Sequence, residues 1–87
     1  MPSPSEIEEI IVSFIVETLA AAERNEIDRE DNLIVDGILD SISIMRLIAH
    51  LETELDFKIP PRDLISSNFM TIKAMVTYLS SKAGTTP

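Results

Sequence analysis

Apolar residues return along the first quarter of the chain at Ile7, Ile10, Ile11, Phe14, Leu19 and Ala22, with Thr18 in the same column. Steps of three and four lay a single stripe along a helix and leave Glu8, Glu9 and Glu17 largely outside it. Ser5 followed by Glu8 has the S-x-x-E spacing of a capping box, which predicts that this helix begins there, and Arg24 and Asn25 end the pattern. From Glu26 to Asp40 no helical period survives, yet Ile27, Leu33, Ile34, Val35, Ile38 and Leu39 are too apolar for a disordered linker. The segment reads as a long ordered loop packed on the core. Loops of this length are uncommon in compact domains unless they position something, and this one delivers the chain to Ser41.

A second helix is predicted from about Ser41 to Asp56. On it Ile44, Met45, Ile48, Leu51 and Leu55 share one side, and Ser43, Arg46, His50, Thr53 and Glu54 form the opposite stripe. Ile42 and Leu47 fall at the two borders, open to use as core margin or as partner contact. Glu52 falls near the apolar side, with nothing in the pattern to account for it. Pro60 and Pro61 stop the extended piece that follows, and Pro61 has the fixed φ suited to the first turn of a short third helix through about Ser66. Thr71 is placed to cap a last helix whose Ile72, Met75, Val76 and Leu79 form a stripe, with Phe69 tucked in before it, and Gly84 and the Thr-Thr-Pro tail end the order. The expected fold is all-α: a four-helix bundle with a short third helix and a long loop between the first and second.

Composition narrows this picture in three ways. An 87-residue chain is one domain, 1–87, with an ordered core expected over about 5–83 between short flexible tails. The absence of cysteine and tryptophan leaves the core to aliphatic packing without disulfide or zinc support. No apolar run reaches the ~20 residues that cross a bilayer, and the start "MPSPSEIEE" lacks a basic segment and an apolar run of signal-peptide type, so a cytoplasmic, monomeric protein without a membrane span is expected. The net charge of -8 disfavours binding to nucleic-acid phosphates. That charge is unevenly spread. Residues 1–40 hold eleven acids against Arg24 and Arg29, whereas residues 41–87 hold four acids against five bases.

Catalysis finds little support. His50 is the only histidine, and its place on the polar stripe predicts a solvated side chain with no carboxylate or thiol arranged beside it. Ser41 lacks the G-x-S-x-G context of a hydrolase nucleophile, and a small bundle offers no second layer for a triad. Asp28, Glu30 and Asn32 match positions one, three and five of an EF-hand loop, but Leu33 stands where the turn needs glycine and Leu39 where the bidentate carboxylate belongs. A serine in the first turn of a helix does have three assets: an exposed hydroxyl, free backbone N–H groups and the positive end of the macrodipole. Those assets suit an attached phosphate, with Gly37 upstream allowing a modifying enzyme to approach the backbone closely. They equally suit a plain N-cap serine.

The stretch "GILDSISIMRLIAHLETELDFKIP" resembles the acyl carrier and peptidyl carrier protein family. Asp40, Ser41 and Ile42 correspond to the family's Asp-Ser-Leu-like tripeptide opening the second helix, and Ile59-Pro60 to its later Ile-Pro. The resemblance covers nearly the whole domain and implies a bundle of acyl-carrier type. It implies that Ser41 carries a covalent 4′-phosphopantetheine arm, placed from coenzyme A by a separate phosphopantetheinyl transferase with magnesium, with Asp40 beside the transfer site. The domain is then a carrier and not an enzyme, its cargo held as a thioester on the terminal thiol. Partners implied are an adenylating or acyl-loading enzyme and a downstream acyltransferase, condensation enzyme or ketosynthase, with Ile42, Arg46 and Leu47 as candidate contacts. Carriers of fatty acid synthesis have acids along the exposed side of the second helix, where this chain has Ser43, Arg46 and His50. The Gly-Gly-x-Ser run of peptidyl carriers is absent too. The "GILDS" form is closer to free-standing aminoacyl carriers, including the D-alanyl type and discrete carriers of nonribosomal-peptide or polyketide assembly. A fatty acid synthase carrier is the nearest competitor and a D-alanyl carrier for cell-wall modification the next, and an unmodified helical adaptor in which Ser41 only caps its helix is the alternative of a different class.

Overall fold

The computed structural model describes residues 2–83, and the expected end of order at Gly84 lies outside them. Four α-helices occur in chain order, α1 Pro4–Ser13, α2 Ser41–Leu55, α3 Ser66–Phe69 and α4 Ile72–Ala83, with no strand among the described residues. The all-α expectation holds, with three local corrections.

The first concerns where α1 starts. The sequence contains two overlapping S-x-x-E frames, and the one used is Ser3–Glu6 rather than Ser5–Glu8: Ser3 Oγ accepts from the Glu6 N–H at 3.2 Å, and Glu6 Oε1 accepts from the Ser3 N–H at 2.9 Å. Pro4 decides between them, because its fixed φ and missing N–H suit the first helical position. At its far end α1 widens into a π turn over Phe14–Thr18, in which the Leu19 N–H reaches Phe14 O at 2.9 Å. That wider turn keeps both Phe14 and Ile15 buried. Ala20, at φ +50°, then turns the chain away, so the expected continuation of the helix to Ala22 does not form.

The second correction lies after α2. Asp56 ends that helix in the left-handed conformation at φ +55°. The expected third helix from Pro61 is only a 3-10 turn, Pro61–Asp63, and the helical turn proper comes later, at Ser66–Phe69. Phe69 is buried, and the Thr71 hydroxyl accepts from the Ala74 N–H at 2.9 Å, capping α4 as its position suggested. Within this region Asp63 ties the 3-10 turn to α4 by accepting from the Tyr78 hydroxyl at 2.6 Å, with Lys82 Nζ at 3.7 Å.

The Tyr78–Asp63 bond should leave a signature in the pH dependence of stability. The Tyr78 hydroxyl holds the Asp63 carboxyl below its usual value, so this contribution is present above about pH 4 and is lost as pH falls through the lowered value. Burial first, then the Asp63 carboxylate, push the Tyr78 hydroxyl upward. Its contribution is therefore complete below about pH 10 and lost only as pH rises beyond that. Melting curves of Tyr78→Phe against the parent chain should show the parent's advantage as a plateau between these limits, shrinking at both ends. A constant difference across the whole range would mean that the bond is not formed.

The third correction is in the rotation of α2. The core is built from Ile7 and Ile11 of α1, Ile15 of the π turn, Leu47 and Leu51 of α2 and Met75 of α4, among others. At about 100° per residue Leu47 lies about 40° from Leu51 around the helix, whereas Met45 lies about 120° and Ile42 about 180° away. Leu47 is accordingly buried at 1% exposure, and Met45, expected inside, is 59% exposed. Leu47 is therefore not available as a partner contact on this surface.

Two buried leucines, Leu33 and Leu39, pin the long loop to the bundle. Its backbone is fastened to the start of α4 by bonds from Leu33 N–H to Met70 O at 2.7 Å and from Lys73 N–H to Arg29 O at 2.9 Å. Within the loop, Ile38 and Leu39 both donate to Leu33 O, closing a turn that needs the φ of +79° at Gly37. Space is not the constraint there, since a Cβ on Gly37 would meet nothing within 4 Å. The loop acids have local work: Asp28 Oδ1 accepts from the Glu30 N–H, and Asp31 Oδ2 from the Asp28 N–H.

Candidate functional site

The loop hands the chain to α2 at Asp40, and Asp40, not Ser41, is the N-cap: its Oδ1 accepts from the Ser43 N–H at 2.8 Å. The hydrogen bond from the Ser43 backbone, followed by that from the Ser43 side chain, holds the Asp40 carboxyl below the usual range, so it is ionised at neutral pH. Ser41 is thus the first helical residue, exposed, and its hydroxyl makes no hydrogen bond among the described residues. This removes the premise of the adaptor reading, in which the serine exists to cap its helix. An aspartate and a serine in adjacent positions compete for that role, and the carboxylate takes it.

Beside Ser41 opens a groove of about 270 Å³ between α2, the loop and the segment around α3. Ile44, Met45 and Ile48 form its α2 wall, while Ile34, Leu64 and Ile65 come from the loops opposite, with Phe69 deeper. Its only polar liners are Ser41 and Ser66, and none is charged. Asn32 fixes the loop wall: its Oδ1 accepts from the N–H groups of Ile34 at 3.2 Å and Val35 at 3.0 Å, and its Nδ2 points at Met70 Sδ at 3.7 Å. That fork turns Val35 outward at 78% exposure.

Of the candidate contacts, Ile42 is 74% exposed and Arg46 is exposed one turn further along α2. Met45 and Ile65, both exposed, line the groove with the same serine, and they and the exposed Val35 of the loop were missed by the helical pattern. Met45 could have been found from its angle to Leu51, but Val35 and Ile65 lie on loops whose facing no periodicity records. His50 differs from expectation as well: it is partly buried and stacked on Phe14, ring centroids 4.5 Å apart at 25°. Glu52 gains an explanation, since its Oε2 accepts from the Ile59 N–H at 2.8 Å and clamps the extended segment leading to Pro60. Among the described residues no group of three or more His, Asp or Glu is placed to hold a metal ion, and no helix is long and apolar enough to cross a membrane.

A bundle that presents an unbonded serine hydroxyl at the start of its second helix has the architecture of a carrier domain, and comparison with known proteins agrees. Residues 9–79 match the phosphopantetheine attachment site family, and the chain belongs to it. It is similar to the D-alanyl carrier protein of Lactococcus lactis subsp. cremoris, with 28% identity over 68 residues, covering 78% of this chain and 86% of that protein. The same identity and coverage relate it to the D-alanyl carrier protein of Lactococcus lactis subsp. lactis.

Membership makes 4′-phosphopantetheine the covalent cofactor and the domain a carrier, a substrate of phosphopantetheinyl transferase and of loading enzymes rather than a catalyst. The residues around the α2 start fit such a group. An accessible hydroxyl, a helix N-terminus whose positive end favours a phosphodiester, and an uncharged groove beside it are all present.

Proposed function

We propose that Ser41 is the attachment residue and that the chain is a discrete carrier holding an aminoacyl or acyl group for nonribosomal-peptide or polyketide-type assembly in the cytoplasm. The observation that carries this reading is the division of labour at the α2 start, where Asp40 satisfies the helix and leaves the Ser41 hydroxyl free to be modified. The arm, when attached, supplies a terminal thiol on which cargo is held as a thioester. Everything else asked of this chain is presentation. Ser41 Oγ must be reachable, and its proton must leave to a base of the transferase, because no side chain of the bundle is hydrogen-bonded to it. Asp40 stays ionised beside it and anchors the backbone that carries it.

An aminoacyl cargo, activated by a stand-alone adenylating enzyme and passed to a condensation enzyme, is favoured by two features. The relatives it resembles are D-alanyl carriers, and the exposed side of α2 next to Ser41 has no acid, unlike the fatty-acid type described above. The same relatives favour a second reading, a D-alanyl carrier. Loading the holo protein with purified enzymes separates these. An adenylating enzyme selective for D-alanine should load it under the second reading, adenylating enzymes for other amino acids under the first. Efficient malonyl transfer by a fatty-acid malonyl transferase would sink both.

A further inference from the structure

Asn32 matches position five of an EF-hand loop that Leu33 and Leu39 rule out, and its amide has other work. Its Oδ1 is shared by the N–H groups of Ile34 and Val35, at 3.2 and 3.0 Å, and its backbone oxygen accepts from the Asp36 N–H at 2.9 Å. The neighbouring N–H groups are met close by: Leu33 donates to Met70 O, Gly37 to Ile34 O, and Ile38 and Leu39 to Leu33 O. From Leu33 to Leu39 every backbone N–H thus has a partner without a regular helix, and the next two residues are Asp40 and Ser41. The fork also fixes which way the amide faces, leaving Nδ2 toward Met70 Sδ at 3.7 Å, just before α4.

The fork contributes less to the fold than two hydrogen bonds suggest. Ile34 and Val35 are exposed, so water can take over both N–H groups if the amide oxygen is lost. Leu33 and Leu39 hold the loop on the core by their own burial. What water cannot reproduce is direction. One oxygen accepting two consecutive N–H groups sets two peptide planes at once, and these lie between the core anchor Leu33 and the Gly37 turn that steers the chain to Asp40. Ile34, one of the two, lines the groove beside Ser41.

We infer, resting on the assignment of Ser41 above, that Asn32 is a positioning residue for phosphopantetheinyl transfer, its Oδ1 fork holding the turn over residues 34–37 that sets the approach of the chain to Ser41. Asn32 acts through that turn and not on the reacting atoms. In the transfer the Ser41 oxygen bonds to the pantetheine-side phosphorus of coenzyme A, the pyrophosphate bond breaks, the adenosine bisphosphate half leaves, and the serine proton passes to a base of the transferase. Such an attack tolerates little misplacement of the nucleophile, about 1 Å costing on the order of 100-fold in rate.

The test uses the whole chain with coenzyme A, magnesium and a broad-specificity phosphopantetheinyl transferase. The rate is read by intact mass, at a temperature where circular dichroism reports full helix content. Asn32→Ala should lower kcat about 5-fold or more while KM for the carrier stays within about 2-fold of the parent. Asn32→Asp keeps the acceptor oxygen and loses only the contact with Met70, so its kcat should return to within about 2-fold of the parent. The added charge of that variant acts on encounter and is read separately, in KM. Amide hydrogen exchange should quicken at Ile34 and Val35 in Asn32→Ala, with the amides of α2 as protected as in the parent. The inference is overturned if folded Asn32→Ala keeps the parental kcat, if its loss lies in KM alone, or if Asn32→Asp fails to restore kcat. An Asn32→Ala chain that does not fold overturns it as well, since the residue would then serve the fold. A parent chain that gains no phosphopantetheinyl group instead removes the Ser41 assignment, and this inference with it.

Discussion

Replacing Ser41 with alanine is expected to abolish the gain of one phosphopantetheinyl group on incubation with coenzyme A, magnesium and a transferase, while changing stability by no more than about 0.5 kcal/mol. The two halves of this result come from one geometry. Ser41 Oγ makes no hydrogen bond in the bundle, so its removal costs the fold nothing that the structure records. Its neighbour behaves in the opposite way. Asp40→Ala takes away the acceptor of the Ser43 N–H and should lower the melting temperature. Intact mass and thermal melting of the two variants, measured side by side, give the full pattern. A mass gain that persists in folded Ser41→Ala would place attachment elsewhere, and a clear loss of stability in that variant would mean that the serine helps to cap the helix after all.

The second large effect concerns Leu47. Truncation to alanine at a buried α2 position should cost about 2–5 kcal/mol, the transfer loss plus the residual cavity. Against a total of roughly 4–13 kcal/mol for a chain of this length, that is enough to leave the variant partly unfolded. Ile42→Ala, on the same helix but pointing away from the core, should stay within about 0.5 kcal/mol. Urea midpoints at unchanged slope measure both. Equal costs for the two variants would show that α2 is rotated differently from the arrangement described here.

That pair also shows where periodicity reads well and where it slips. The existence of α2, its start at Ser41 and the cap of α4 at Thr71 were legible because each rests on local chemistry written in consecutive residues. The rotation of α2 was not. Its apolar residues cover more than half of the circumference, with Ile42, Ile44, Met45, Leu47 and Ile48 all in the first half, and a stripe that wide has no single centre. Which part of it is buried is decided by what α1 and α4 bring. Ser3 and Ser5 pose a similar ambiguity at smaller scale, resolved only by Pro4. Ser41 was singled out by its place in the sequence, but its freedom from the cap was not, because Asp40 and Ser41 are both good capping residues and only geometry tells which one turns inward. His50 and Glu52 were misread or unread for another reason: their partners, Phe14 and the Ile59 N–H, are distant or on backbone, where side-chain patterns carry no record.

The fastening of the long loop to the start of α4 has a consequence for the order of assembly. The bonds from Leu33 to Met70 and from Lys73 to Arg29 join residues roughly forty apart in the chain, so each closes a large loop, whereas the bonds inside α1, α2 and α4 span a single turn. Helices are formed by local, quickly closing contacts, and these staples are among the slowest to close. Ile34, which lines the groove beside Ser41 from the loop, is set in place only with them. The loop wall of the groove beside Ser41 is therefore finished late in folding. A chain that has its helices but not its staples has the serine without the groove beside it.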